Sequence, residues 1–223
     1  MTDFTYSATR LAGEGFIIRQ DEGGDAIQNV LVGLDDSYYS IKQYSVYRLT
    51  LDTTDTKPDN QVYRKDLGIP YWQCAVATGR GILFMNTANP MKPELTVLEK
   101  NPIGDNIVPT VLLGHFDFSK YDFSEAVFEN WEQYIVIACK ASGSLSNDRL
   151  LLCNIADNAV DIFKYNASCL KKDGGTLYGG DPSTENVFKF FDGFDDDGSV
   201  IENYWDSKGE LMGIENLKKH QIS

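Results

Sequence analysis

Short apolar or alternating runs, each broken off by a cluster of Gly, Asn, Asp, Pro or Ser, constrain this chain more than any other feature. Tyr71 to Thr78, Gly81 to Asn86, Glu94 to Glu99, Tyr134 to Lys140, Asp148 to Ile155 and Ala159 to Tyr165 are all of this kind. Runs of about five to eight residues rich in Val, Ile, Leu, Tyr and Phe have the length and composition of β-strands. Ile27 to Leu34, Tyr38 to Gln43 and Tyr44 to Leu51 supply three more, followed by a polar linker, DTTDTKPDNQ. Helix signals are sparse. Leu211, Ile214 and Leu217 suggest a tail helix over 209–220, although a strand through Leu217 to Ile222 fits the same residues, and Phe123 to Trp131 has room for one helical turn. The expected fold class is all-β with few helices.

The runs also recur in order. Three blade-like repeats span 71–205, each a small-residue strand, a strongly apolar strand and an amphipathic strand. A propeller blade suits that order, because space narrows towards the axis and the middle strands fill the contact between blades. The units begin at Tyr71, Tyr134 and Gly175, about 62 and then about 42 residues apart, so the first interval requires an insertion, placed at Pro109 to Asn130. Residues 1–60 are expected to form irregular N-terminal strands. At about 40 to 45 residues per blade, the 223 residues hold about five blades in a single β-propeller-like domain, either a small ring or an incomplete part of a larger one.

Charge and composition narrow the function classes. With 33 acids against 20 bases the formal net charge is -13, which repels phosphate backbones and anionic lipid, so neither a membrane nor sequence-specific nucleic acid is an expected partner. The N-terminus has no basic, apolar leader, and no window approaches the roughly 18 apolar residues of a membrane span, so a cytoplasmically made protein is expected. Cys74, Cys139, Cys153 and Cys169 show no CxxC spacing and are expected to be buried free thiols.

Catalytic patterns are scarce. His115 and His220 are the only histidines, so a His-based metal site or a triad would rest almost on His115 alone, which reads as an ordinary strand-end histidine, and no GxGxxG, Walker or HExxH pattern occurs. Gly179-Gly180 suggests a tight strand exit. The acidic turn at 192–198 offers Asp195 and Asp197 as calcium ligands, but Gly193 and Tyr204 stand where a helix-loop-helix calcium site needs acids. Asp117, Asp148, Asp181 and Glu185 would be the carboxylates of a glycosidase-like propeller, with Tyr38, Tyr39, Tyr44 and Tyr47 as a sugar-stacking platform or simply a covered sheet face. No cofactor is expected apart from that calcium alternative. For a protein interface, Phe116, Phe118, Tyr121, Phe123, Phe128 and Trp131 put many aromatics into one segment, which core packing explains equally well.

The stretch Leu177 to Trp205, LYGGDPSTENVFKFFDGFDDDGSVIENYW, resembles a blade of the propeller-like structural proteins found at the neck or tail of tailed bacteriophages. In that pattern a Tyr/Gly hairpin precedes GxxDDGxxIxxYW and a Lys-rich strand, here Glu215 to His220. The likeness is looser over Tyr134 to Tyr165, is absent before Tyr71, and departs at Asp181-Pro182, where serines are usual. It implies a non-enzymatic virion component at the neck, tail or head-tail connection, oligomeric in the particle, in contact with portal or tail subunits and assembled in the host cytoplasm. It carries over no catalytic residue, and the end at Ser223 fits an incomplete ring or a truncated frame. A carbohydrate-binding or glycosidase-like propeller and a generic protein-interaction propeller are the alternatives.

Overall fold

The structure, a computed structural model, describes residues 27–200 apart from 36, 51–58, 105, 182–185, 192–194 and 197–198. Two compact units divide at Phe190/Phe191. Among the described residues the first holds four antiparallel sheets, each a meander in chain order. The first sheet is β1 (Ile27–Val32), β2 (Tyr38–Lys42), β3 (Val46–Thr50) and β4 (Asp59–Arg64). The second is β5 (Ala75–Thr78), β6 (Gly81–Asn86), β7 (Glu94–Lys100) and β8 (Ile107–Leu112). The third is β9 (Tyr121–Trp131), β10 (Tyr134–Ala141), β11 (Arg149–Asn154) and β12 (Ala159–Lys164). The fourth is β13 (Cys169–Asp173), β14 (Thr176–Asp181) and β15 (Asn186–Phe190). In the second unit β16 (Asp195–Asp196) pairs with β17 (Ser199–Val200).

The all-β expectation holds. Among the described residues the sole helical element is one 3-10 turn, Phe118–Lys120. The phasing differs from the sequence expectation. Sheets of the first unit open at Ile27, Ala75, Tyr121 and Cys169, 48, 46 and 48 residues apart. The uneven spacing arose because Tyr71 stands just before a first strand, whereas Tyr134 opens the second strand of its sheet and Gly175 the turn into another. Pro109 to Asn130 is therefore no insertion: it contains the end of β8 and most of β9. Asp59 to Gln61, expected to be linker, pairs with β3 as the start of β4. The tail over 201–223, His220 included, and the N-terminal residues 1–26 lie outside the described residues.

Phe123 to Trp131 is strand where a helical turn was expected, and a bulge explains the helix-like spacing. Val127 pairs with Ala138 and Asp122 with Lys140, so five steps along β9 face two along β10. Phe123 and Ala126 are both buried across that excess. Their three-residue spacing imitates a helix, but the extra residues of a bulge are its cause.

Two apolar clusters organise the first unit. Tyr39, Ile41 and Val46 of the first sheet join Ile82, Phe84, Leu95 and Val97 of the second and Ile137, Cys139, Leu151 and Cys153 of the third. The other face of the third sheet, through Val127, Val136, Ala138, Leu150 and Leu152, meets Leu170, Leu177 and Phe190 of the fourth. The third sheet is thus covered on both faces. Strands buried on both faces read as unbroken apolar runs, as β6 does with all six residues buried. Each large aliphatic or aromatic side chain so buried contributes about 1.5–3 kcal/mol.

The connection after β4 ties two sheets together. Ile69 N–H donates to Lys42 O at 2.9 Å, Thr87 N–H to Gly68 O at 3.0 Å, and Gly68 N–H to the Asn86 side-chain oxygen at 3.0 Å. A Cβ on Gly68 would stand 2.1 Å from Gln43 O, so only glycine permits that approach. First strands of successive sheets are neighbours: β1 lies beside β5, β5 beside β9 and β9 beside β13.

Candidate functional site

Residues 116–131 gather six aromatics, of which Phe118, Phe123 and Phe128 are buried. Leu113 takes a left-handed conformation (φ 52°) after β8, and Phe116 N–H closes the turn on Leu113 O at 2.9 Å. Asp117 caps the following 3-10 turn, accepting from Ser119 N–H at 3.2 Å and from the Ser119 hydroxyl at 2.6 Å. That hydroxyl, with Lys120 at 3.7 Å, holds the Asp117 carboxyl below its ordinary range.

The ring geometry brings four of the six expected interface residues together. Phe116 meets Phe118 edge-on at 4.8 Å and lies parallel to Tyr121 at 6.0 Å, while Phe118 and Tyr121 approach Phe123 at 6.2 and 6.5 Å. Phe118, Phe123 and Phe128 are buried in the larger cluster, against which Phe116 and Tyr121 pack half-buried. Trp131 stands apart, beside the smaller cluster; it stacks on Tyr134 at 5.9 Å and its Nε1 donates to Gly175 O at 2.7 Å. Burial pushes the Tyr121 phenol up. A groove runs along this segment, walled by Met91, Pro93, Val111, His115 and Phe116. Met91 is 83% exposed and Val111 50%, so the groove presents an apolar rim to solvent. Met91 and Val111 escaped the sequence reading because they come from separate turns and strands, and no spacing along the chain joins them.

Beneath the aromatics the β9 bulge is held by side chains from elsewhere. The Cys74 thiol shares its one proton between Phe123 O at 3.3 Å and Ala126 O at 3.4 Å, and Asn147 Nδ2 donates to Glu125 O at 2.9 Å. Phe128 N–H reaches Gln73 O at 3.0 Å. Glu125 also pairs with Lys140 at 2.7 Å. Carbonyls freed from the ladder by the extra residues are thereby satisfied.

The thiols divide three to one. Cys74, Cys139 and Cys153 are buried, as expected, while Cys169 is exposed and free. Burial pushes Cys74 and Cys153 up to about 12 and raises Cys139 as well. Cys169 follows Asn166-Ala-Ser and precedes Leu-Lys-Lys, a polar setting that distinguishes it from the other three.

The acidic candidates occupy local roles. Asp148 accepts from Ala141 N–H at 2.8 Å, the Ser144 hydroxyl at 2.9 Å and Arg149 at 2.7 Å. Burial pushes its carboxyl up, but those three donors together outweigh burial and leave it below the ordinary range. Asp181 ends β14, opposite Asn186, and Glu185 lies outside the described residues. Asp195 pairs with Val200 in the second unit, and Asp197 lies outside the described residues. No group of three or more His, Cys, Asp or Glu side chains is placed to hold a metal among the described residues. Of the tyrosines, Tyr39 and Tyr47 are buried and Tyr38 and Tyr44 exposed. No described helix is long and apolar enough to cross a membrane. No protein-family model and no curated protein matches the chain.

Proposed function

We propose that this chain is a non-enzymatic scaffold of propeller-like build, working through protein-protein contacts as a structural component of a tailed-phage virion at the neck, tail or head-tail connection. The observation that carries the proposal is the succession of meander sheets opening every 46 to 48 residues, with β1, β5, β9 and β13 side by side. Propeller blades are four-stranded meanders whose first strands gather about an axis, and the face-to-face cover between sheets makes such an array rigid. A rigid array offers its loops and outer edges to neighbouring subunits. The groove beside Phe116, with its apolar rim, is the surface we assign to such a contact.

The virion setting is supported by the likeness of Leu177 to Trp205 to phage neck and tail proteins. Portal or tail subunits are the partners it implies, within an oligomeric particle. The net charge of -13 suits a component close to packaged DNA that does not adhere to it.

Cross-linking mass spectrometry on purified tailed particles is the test. The expected result is this chain in fixed ratio to the portal, with cross-links from Lys92 or Lys120, which flank the groove, to a portal or tail subunit. Recovery of the chain solely outside particles would overturn the virion reading. Cross-links in the particle confined to other faces would overturn the assignment of the groove.

A further inference from the structure

Sheet alternation on β2 and β3 puts Tyr39, Ile41 and Val46 into the core and turns Ser40, Lys42 and Tyr47 to the opposite face. Those three side chains are 2%, 1% and 5% exposed, yet Ser40 Oγ, Lys42 Nζ and the Tyr47 hydroxyl each lack a hydrogen-bond partner. Ser40 and Tyr47 are direct cross-strand partners, and Lys42 lies two residues further along the same face. Lys42 Nζ stands 4.7 Å from the centre of the Tyr47 ring, which sets the ammonium beside the cross-strand partner of Ser40. The face of the ring offsets part of the cost of burying a cation, but it accepts no hydrogen bond of ordinary strength.

We infer that Ser40, Lys42 and Tyr47 form a binding site for a single carboxylate. Three donor groups that carry one positive charge and have no hydrogen-bond partner complement one carboxylate, whose two oxygens offer about four lone-pair sites. A phosphate dianion would bring a second charge with no cation to meet it. Arg48, the other cation on this hairpin, shares the Tyr39 face and is engaged by Asp35 at 2.7 Å. Closure from bulk water strengthens the pairing, because a low local dielectric raises the worth of each charge-assisted hydrogen bond. No step of the proposed scaffold role depends on this site.

Thermal melting of the full chain in sodium chloride and in sodium acetate at equal ionic strength tests the inference. Acetate is the probe because it carries one carboxylate and little else. The wild-type midpoint is expected to rise by about 2–5 °C in acetate. Lys42→Met should lose that increment and melt higher than wild type in chloride, since the unpaired charge is gone. Tyr47→Phe, which keeps shape and charge, should shrink the increment and provides the comparison if Lys42→Met does not fold. An increment of equal size in wild type and both variants, or no increment in wild type, would overturn the proposal. Light scattering separates the sources of the carboxylate. A wild-type dimer in chloride that dissociates in acetate and on Lys42→Met identifies an acidic side chain of a second copy, and a monomer throughout with the acetate increment intact identifies a free carboxylate.

Discussion

At the residue scale the thiols show how burial sets chemistry. Cys74, Cys139 and Cys153 keep their protons because the surrounding apolar groups penalise a thiolate, whereas Cys169 is open to reagent. In native protein at pH 8 an aromatic disulfide reagent is expected to titrate one thiol quickly, with four reacting after denaturation; Cys169→Ser should abolish the fast phase. A fast second equivalent would contradict the burial assigned here. The pH dependence has a definite sign. Folded thiol values above the unfolded value of about 8.5 mean that the native state holds protons the unfolded chain releases, so this contribution is constant below that pH and declines as pH rises toward 12. The apolar flanks of three cysteines were visible in the sequence, and the polar flanks of Cys169 were the available sign that it differs.

At the element scale β9 is the instructive case. Its excess residues leave carbonyls outside the ladder, and those of Phe123, Glu125 and Ala126 are taken up by Cys74 and Asn147. Asn147→Ala is expected to destabilise the fold by about 1–3 kcal/mol, read as a lower urea midpoint, because the carbonyl of Glu125 loses its donor. A midpoint unchanged within error would show that solvent replaces the amide. The doubled glycine in β14 was legible as a tight place, and the reason is now specific: a Cβ on Gly179 would stand 2.1 Å from the buried Phe190 ring. What could not be read was that Phe123 and Ala126 belong to a bulge, since helix and bulge produce the same local spacing and only the partner strand distinguishes them.

At the scale of the whole molecule, within the first unit the third sheet belongs to two apolar clusters at once. Leu152 and Leu150 face the fourth sheet, while Leu151 and Cys153 face the larger cluster. Leu152→Ala should cost about 2–5 kcal/mol and release the fourth sheet first. Native-state hydrogen exchange is the readout: amides of β13 to β15 should lose protection while β6 and β7 retain theirs. Equal loss across both regions would mean that the sheets open as one cooperative body. The aromatic segment before and along β9 belongs to this scale too, because Phe118, Phe123 and Phe128 fill the larger cluster and leave Phe116 and Tyr121 half-buried against it.

The sequence by itself determined that this is an all-β chain, where most strands run, and which runs are apolar. Those properties are local: side-chain alternation, β-branched and aromatic content, and turn residues act over a few positions. The tertiary structure alone decided the phase of the strands within their sheets, the bulge in β9, the burial of Phe118 and Phe123, and the isolation of Lys42 on the second face of its sheet. Each depends on which distant segment packs against which face, and pairing across forty or more residues leaves no local trace in composition or spacing.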